Sequence, residues 1–91
     1  MSKVVKIFFI YADNCKHCQA ALNTIQSAMI KCNKISCEII KLIYNDDVAL
    51  KIAIEHNIDD LPGFVIGIES FKGRDYDEGR IIKAIRKASS R

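Results

Sequence analysis

Two cysteines separated by two residues, Cys15 and Cys18, follow the apolar segment "FFIYA" and open a segment that mixes apolar and polar side chains. The thiolate form of cysteine acts both as a nucleophile and as a metal ligand. The spacing therefore fits three roles: a redox pair, half of a zinc site, or two small buried residues. The elements that position the two side chains decide among these roles.

Residues 4–11 are β-branched and aromatic with almost no polar alternation, which predicts a strand buried on both faces at the centre of a sheet. From Cys15 onward, apolar side chains recur at alternating steps of four and three and predict a helix that ends near Asn33. Cys15 then lies at the helix N-terminus, where free N–H groups and the helix dipole stabilise a thiolate. Cys18 is expected on the same side, one turn deeper, which suits a resolving thiol.

His17 lies between the two cysteines. A partly protonated imidazole there would add to the helix dipole in favouring the thiolate, and would make a disulfide easier to reduce. The alternative for His17 is a solvated helix residue. His56, near the expected end of the second helix, is interpreted as solvated and is given no catalytic role.

The middle of the chain predicts a second strand and a second helix. Residues 35–43 are rich in isoleucine and predict the strand. Asn45 and Asp46 are candidate caps for the helix, and Asn57 can end it in the left-handed conformation. A strand, a helix and a strand in succession imply a right-handed crossover with parallel pairing.

After Pro62, the segments "GFVI" and "ESFK" predict two short strands that join at Gly67 as a hairpin. Asp75 and Glu78 resemble a capping box, and the isoleucines after them predict a last helix. The predicted order is β-α-β-α-β-β-α. This order corresponds to an α/β fold with a central mixed four-stranded sheet and helices on both faces.

A chain of 91 residues with 49% apolar side chains has the size and the core of one domain, predicted to span residues 1–91. The net charge is +3, with seven Lys or Arg against three acids in residues 72–91 and two against six in residues 38–61. The basic end has no interleaved aromatic or arginine cluster. It is interpreted as a solvated helix face, and no nucleic-acid partner is expected.

The apolar run near the N-terminus is shorter than a signal-peptide core and far shorter than a membrane span. We therefore expect a cytoplasmic protein with no membrane partner. Structural disulfides are rare in the cytoplasm, so four cysteines in a chain of this length indicate catalysis or metal binding before a disulfide scaffold.

Cys32 and Cys37 could complete a four-thiolate zinc site with the first two cysteines, and such a site needs all four sulfurs on one ion. The predicted helix argues against it, because the fourteen steps from Cys18 to Cys32 span roughly 21 Å at the helical rise. No metal is therefore expected. Cys32 and Cys37 are interpreted as core residues with free thiols, although they could approach each other across the intervening turn and form a disulfide.

The Cys-x-x-Cys motif after a buried strand and at the start of a helix, with a single proline before a later hairpin, resembles the thioredoxin and glutaredoxin superfamily. The resemblance covers nearly the whole chain and is strongest to the short glutaredoxin-like thioredoxins of archaea and phages. It implies the thioredoxin fold, with Cys15 as the attacking thiol and Cys18 as the resolving thiol. It also implies that Pro62 is a cis-proline against the cysteines, and that Leu61 offers its backbone to a substrate strand.

The chain departs from both branches of the superfamily. Phe9 stands where thioredoxins commonly have a buried acid, and Ala12 where glutaredoxins commonly have a lysine. Glutathione binding is expected to be weakened, because Asp59 and Asp60 add negative charge beside Leu61. Three cations could partly replace the missing lysine: Lys16, Lys72 and Arg74.

These features predict a monomeric thiol-disulfide oxidoreductase that needs no cofactor and acts on disulfide-containing protein substrates. Lys16, Leu61 and Pro62 are the predicted substrate-binding residues, and a thioredoxin-reductase-type enzyme or glutathione is the expected reductant. The alternative function is a non-enzymatic domain of the same fold that binds a metal, as zinc or an iron-sulfur cluster, or another protein.

Overall fold

Four strands pair into one mixed sheet. The computed structural model describes residues 4–90 and contains the strands β1 (Val4–Tyr11), β2 (Ser36–Ile43), β3 (Gly63–Ile66) and β4 (Glu69–Lys72). They lie in the order β2-β1-β3-β4. β1 pairs in parallel with β2 and antiparallel with β3, and β3 pairs antiparallel with β4. This is the mixed four-stranded sheet that the sequence predicts.

Three helices complete the predicted element order: α1 (Lys16–Lys31), α2 (Asp47–Glu55) and α3 (Glu78–Ser89). α1 and α3 lie together on one face, where they share a core with alternate residues of β1 and β3. α2 packs on the other face through Ala49, beside Ile10 and Val65. Helices therefore cover both faces, as predicted. Within residues 4–90, no helix is both long and apolar enough to cross a membrane.

β1 lies in the interior of the sheet, as predicted, but only part of it is covered on both faces. Val5, Ile7 and Phe9 point into the core beneath α1 and α3. On the opposite face, Val4 is 46% exposed and Lys6 is also exposed. The reason is the length of α2, which has nine residues and packs near the carboxyl end of β1. The prediction of burial on both faces is wrong for the first half of the strand.

Polar residues and a glycine lie at the boundaries of the elements in the middle of the chain, as the sequence predicts. Asp46 caps α2 by accepting a hydrogen bond from the Val48 N–H at 3.1 Å. Asn57, just beyond α2, has a φ of 55°. Gly67 has a φ of 63° in the turn between β3 and β4, a conformation that costs glycine little.

The cap of α3 differs from the prediction. Asp77, not Asp75, accepts the hydrogen bond from the Arg80 N–H, at 2.8 Å. Asp75 instead pairs with the Arg80 guanidinium at 3.3 Å. The capping box fails because Glu78 is itself the first helical residue and its carboxylate turns toward α1.

Glu78 joins α3 to α1. The Ser27 hydroxyl donates a hydrogen bond to the Glu78 carboxylate at 2.5 Å, and the Lys31 ammonium pairs with it at 3.0 Å. The hydrogen bonds from Ser27 and then Lys31 hold the pKa of Glu78 below its usual value. The contact ties together the two helices that share one face of the sheet, including the helix that begins at the cysteine pair.

Candidate active site

Cys15 is the N-cap of α1, as predicted. Its backbone is extended, and its Sγ accepts a hydrogen bond from the Cys18 N–H at 3.2 Å. Asn14, directly before it, has a φ of 61°, which turns the chain from β1 into the helix. Asparagine is one of the few residues other than glycine that adopt this conformation readily. The sulfur of Cys15 thus lies against free N–H groups of the first helical turn, where a thiolate is stabilised.

The two cysteines lie side by side but differ in exposure. Their Cα atoms are 5.2 Å apart and their Sγ atoms are within disulfide-bonding distance. Cys15 is half-buried, whereas Cys18 is only 4% exposed and belongs to the core beneath α1. Cys18 is therefore the deeper of the two, as predicted. A large substrate can approach the sulfur of Cys15 much more easily than that of Cys18.

Pro62 lies at the same end of the sheet as the cysteines. The Leu61–Pro62 peptide bond is cis and Pro62 is buried. β3 begins at Gly63, which pairs with Ile10, so Pro62 lies beside the end of β1 that leads into the cysteine loop. The Pro62 carbonyl accepts a hydrogen bond from the Gly73 N–H at 2.8 Å.

Leu61, the predicted substrate-binding residue before the proline, is half-buried. Its N–H donates to the Asp60 carboxylate at 3.0 Å. This backbone donor is therefore occupied by a side chain. A substrate strand that pairs with Leu61 has to displace the Asp60 carboxylate, which is exposed and can turn away to solvent.

Asp59 and Lys72 form an ion pair close to Leu61. The Lys72 ammonium lies 2.8 Å from the Asp59 carboxylate, and both side chains are exposed. The hydrogen bond from Lys72, and then the positive charge of Lys72, lower the pKa of Asp59. The same hydrogen bond, and then the negative charge of Asp59, raise the pKa of Lys72. Part of the negative charge beside Leu61 is thereby neutralised, and Lys72 is engaged before any ligand binds.

A cleft of about 550 Å³ opens beside Cys15. Phe9, Cys18 and Leu22 form its apolar wall, and its charged lining residues are Lys16, Lys41 and Asp13. Sequence reasoning missed Lys41, which lies on β2 opposite Phe9 and so points to the face that carries α1. The parallel pairing of the first two strands was predicted and brings β2 beside β1. Only the register of that pairing, which the sequence does not reveal, places Lys41 in the cleft beside the cysteines.

Two predicted site residues lie on the exposed surface of α1. Lys16 and His17 are the first residues of the helix after Cys15, and both are exposed. Lys16 also lines the cleft, while His17 does not. His17 is two residues from Cys15 and directly precedes Cys18 along the chain, and its role stays a prediction.

A second, smaller groove of about 390 Å³ begins at Leu61 on the other face of the sheet. Tyr44, Leu50 and Ala53 form its apolar wall, and Asp59 and Asp60 lie at its rim. Tyr44 and Leu50 are 49% and 47% exposed, which is high for large apolar residues. The groove extends the surface around the cis-proline onto α2.

Cys32 and Cys37 lie away from the cysteine pair and are free thiols. Cys32 follows α1, so the helix separates it from Cys18 as the sequence predicts. Burial, and then the neighbouring Cys32, raise the pKa of the Cys37 thiol. Within residues 4–90, no three His, Cys, Asp or Glu side chains are grouped to hold a metal ion.

Neither protein-family models nor curated proteins give a match to this chain. Solved structures do. A malarial protein has a TM-score of 0.63 at 14% identity, over 94% of this chain and 98% of that chain. The structure of the first two thioredoxin domains of Saccharomyces cerevisiae Eps1p has a TM-score of 0.61 at 17% identity, over 96% of this chain and 36% of that chain. Thioredoxin 1 of Thermosipho africanus has a TM-score of 0.57 at 25% identity, over 90% of this chain and 91% of that chain.

These similarities agree with the element order and sheet described above, and confirm the predicted thioredoxin fold. Together with the Cys15 and Cys18 sulfurs at disulfide distance, they support a thioredoxin-like redox role. The finer resemblance to archaeal and phage proteins stays a prediction. The fold of the chain is therefore thioredoxin-like.

Proposed function

We propose that this protein is a dithiol-disulfide oxidoreductase that acts on protein disulfides. The observation that carries the proposal is the arrangement of one partly exposed and one buried sulfur at disulfide distance, with the exposed one at a helix N-cap. The helix end favours the thiolate of Cys15, which is the reactive form. The burial of Cys18 reserves that sulfur for an intramolecular reaction.

In the reducing direction, the Cys15 thiolate attacks one sulfur of the substrate disulfide. A bond forms between Cys15 and that sulfur, the substrate disulfide breaks, and the other substrate sulfur leaves as a thiolate that takes a proton from solvent. Cys18 then loses its proton and attacks the Cys15 sulfur. This step closes the Cys15–Cys18 disulfide and releases the second substrate thiolate, so two electrons pass from the protein to the substrate.

Charged residues around the cysteines tune the first step. His17, when protonated, and Lys41, in the cleft, would each favour a negative sulfur over a neutral one. Phe9 is buried and lines the cleft together with Cys18, and β1 carries no Asp or Glu. The proton of Cys18 therefore leaves without help from an acid on β1, and we expect solvent in the cleft to accept it.

Leu61 and Pro62 are proposed to hold the substrate chain. An extended segment around the substrate disulfide can pair with the Leu61 backbone once Asp60 turns away, and Lys16 can contact the same segment from the helix side. The apolar groove beside Leu61 favours a protein substrate over a small thiol compound. Its acidic rim favours a basic residue near the substrate disulfide.

The physiological setting follows from this chemistry as part of the proposal. We propose that the protein works as a monomer in the reducing cytoplasm. We also propose that a thioredoxin-reductase-type enzyme returns Cys15 and Cys18 to the dithiol form, with glutathione as a weaker reductant.

The first prediction tests the two cysteines by reduction of insulin or a peptide disulfide. Cys15→Ser should lower the rate by at least about a hundredfold, because the nucleophile is removed. Cys18→Ser should accumulate a mixed disulfide with the substrate, visible by mass spectrometry. Cys37→Ser is the control and should keep the wild-type rate. Equal activity of Cys15→Ser and the wild type would end the redox proposal in favour of a binding domain.

A further inference from the structure

A basic groove lies along one of the two free edges of the sheet, apart from the cysteine site. β4 is the last strand of the sheet, and α3 packs beside it on one face. The groove between them has a volume of about 600 Å³. Its principal lining residues are Glu69, Phe71, Arg80, Lys83, Arg86 and Lys87. We call it the β4–α3 groove.

The charge of the β4–α3 groove is not balanced locally. Its lining contains four cations and one carboxylate. Arg80 lies over the Phe71 ring at 5.2 Å and pairs with Asp75, and Lys87 pairs with Glu69 at 3.5 Å. Among residues 4–90, no carboxylate lies within ion-pair distance of Lys83 or Arg86. Two exposed cations on successive turns of α3 are therefore available to an incoming anion.

The backbone of β4 is open along the same groove. β4 pairs only with β3, so one row of its N–H and C=O groups faces outward. In the described part of the chain, no hydrogen bond beyond that pairing uses the backbone of Glu69, Ser70 or Phe71. An open strand edge beside unpaired cations offers two kinds of contact to the same ligand.

We propose that the β4–α3 groove binds an acidic, extended segment of a partner protein, which adds to β4 as a fifth strand. Alternate side chains of an added strand point to the same face of the sheet. The side chains of the added strand that share a face with Glu69 and Phe71 lie beside α3. A glutamate or aspartate at these positions pairs with Lys83 or Arg86. Nucleic acid could use the cations but could not continue the backbone ladder of β4, so a peptide fits both features of the groove.

The groove leaves the cysteine site open. Glu69 pairs with Ile66, which lies opposite Ile7, toward the end of the sheet away from the cysteines. Lys72, at the other end of β4, pairs with Gly63 beside the cis-proline. A partner that pairs along Glu69 to Phe71 and is anchored at Lys83 and Arg86 therefore leaves Cys15 free to react, and this surface is independent of the proposed redox function.

The test uses a blocked synthetic peptide of about ten residues that alternates glutamate with threonine, the period of one strand face. Its binding is measured by titration calorimetry to the wild type and to Lys83→Glu/Arg86→Glu. Lys34→Glu/Lys51→Glu is the matched control, because it makes the same change in net charge at exposed positions outside the groove. Amide hydrogen exchange of residues 69–71 is followed with and without peptide.

The peptide should bind the wild type and the control alike and bind the groove variant at least about tenfold more weakly. Exchange in residues 69–71 should slow on binding. Equal weakening in both double variants would mean general charge attraction, and binding without slower exchange would mean that no strand is added; either result overturns the proposal. Tighter binding of a single-stranded oligonucleotide, lost in the groove variant, would also overturn it and assign the groove to nucleic acid.

Discussion

At the scale of residues, Cys15 and Cys18 have the same chemistry and different surroundings. The first caps α1 and is partly open to the cleft, and the second is buried one turn into the helix. In the proposed reaction, this difference in access, more than residue type, is the reason that Cys15 attacks and Cys18 resolves. Cys32 and Cys37 have neither the helix N-terminus nor a cleft, so the same residue type serves there as small apolar filling.

The second prediction compares the thiols of the reduced protein. Burial raises the pKa of Cys37, so near neutral pH its thiolate fraction is below that of an ordinary thiol and increases only at more alkaline pH. Cys15 is favoured as a thiolate by the helix N-terminus, and iodoacetamide should modify it at least about tenfold faster than Cys37. Peptide mapping after limited alkylation measures the two rates. Faster modification of Cys37 would contradict the assignment.

The third prediction concerns the positive charges near Cys15. His17→Ala and Lys41→Met should each reduce the thiolate fraction of Cys15, because each removes a nearby positive charge. Below neutral pH, the alkylation of Cys15 should therefore slow by up to about tenfold in each variant. Ultraviolet thiolate absorbance as a function of pH measures this fraction in the Cys18→Ser background. His56→Ala removes a histidine outside the site and should change nothing. An unchanged titration in His17→Ala would assign His17 to the solvated surface.

At the scale of elements, the start of each helix is set by one short side chain. Cys15 caps α1, Asp46 caps α2 and Asp77 caps α3. At α1 the cap is also the reactive residue, so the local signal that begins the helix places the sulfur on its N-terminus. The three caps thus connect local sequence to the position of the site.

The fourth prediction separates the observed cap of α3 from the expected one. Asp77→Ala removes the acceptor for the Arg80 N–H and should lower the free energy of unfolding by about 1 kcal/mol. Asp75→Ala removes only an exposed ion pair with Arg80 and should cost well under that amount. Urea denaturation of both variants gives the comparison. A larger loss for Asp75→Ala would restore the capping box centred on Asp75.

At the scale of the whole molecule, we expect the charges around Leu61 to influence which reductant recharges the protein best. Holding glutathione takes cations for its carboxylates, but Asp59 and Asp60 lie beside Leu61 and Lys72 is already paired with Asp59. Lys16 and Arg74 are exposed, and we expect them to leave some affinity for glutathione.

The fifth prediction is that a thioredoxin reductase system recharges this protein several-fold faster than glutathione with glutathione reductase, because of the repulsion of a glutathione anion at Leu61. Turnover of one disulfide substrate is compared under both systems. Asp59→Asn/Asp60→Asn should raise the glutathione rate. Clearly faster turnover of the wild type with glutathione would place the protein with the glutaredoxins.

The element order and the positions of the cysteines within it could be predicted from the sequence. Apolar periodicity is a local property, so it predicted β1, α1 and the hairpin, and the helix predicted the separation of Cys18 from Cys32. The cis bond at Pro62 was inferred from family resemblance, not from periodicity. The local pattern pointed to Asp75 as the cap of α3, and this was wrong: Asp77 is the cap, and Glu78, as the first helical residue, contacts α1, a tertiary contact that local pattern does not contain.

The features that depend on strand register, and on which elements cover each other, could be learned from the tertiary structure alone. Lys41 reaches the cleft because β2 pairs with β1 in one particular register, and a shift of one residue would turn it to the other face. Lys6 and Val4 are exposed because α2 is too short to cover the first half of β1. The basic groove exists because β4 is an edge strand beside α3, an arrangement between segments that no local pattern encodes.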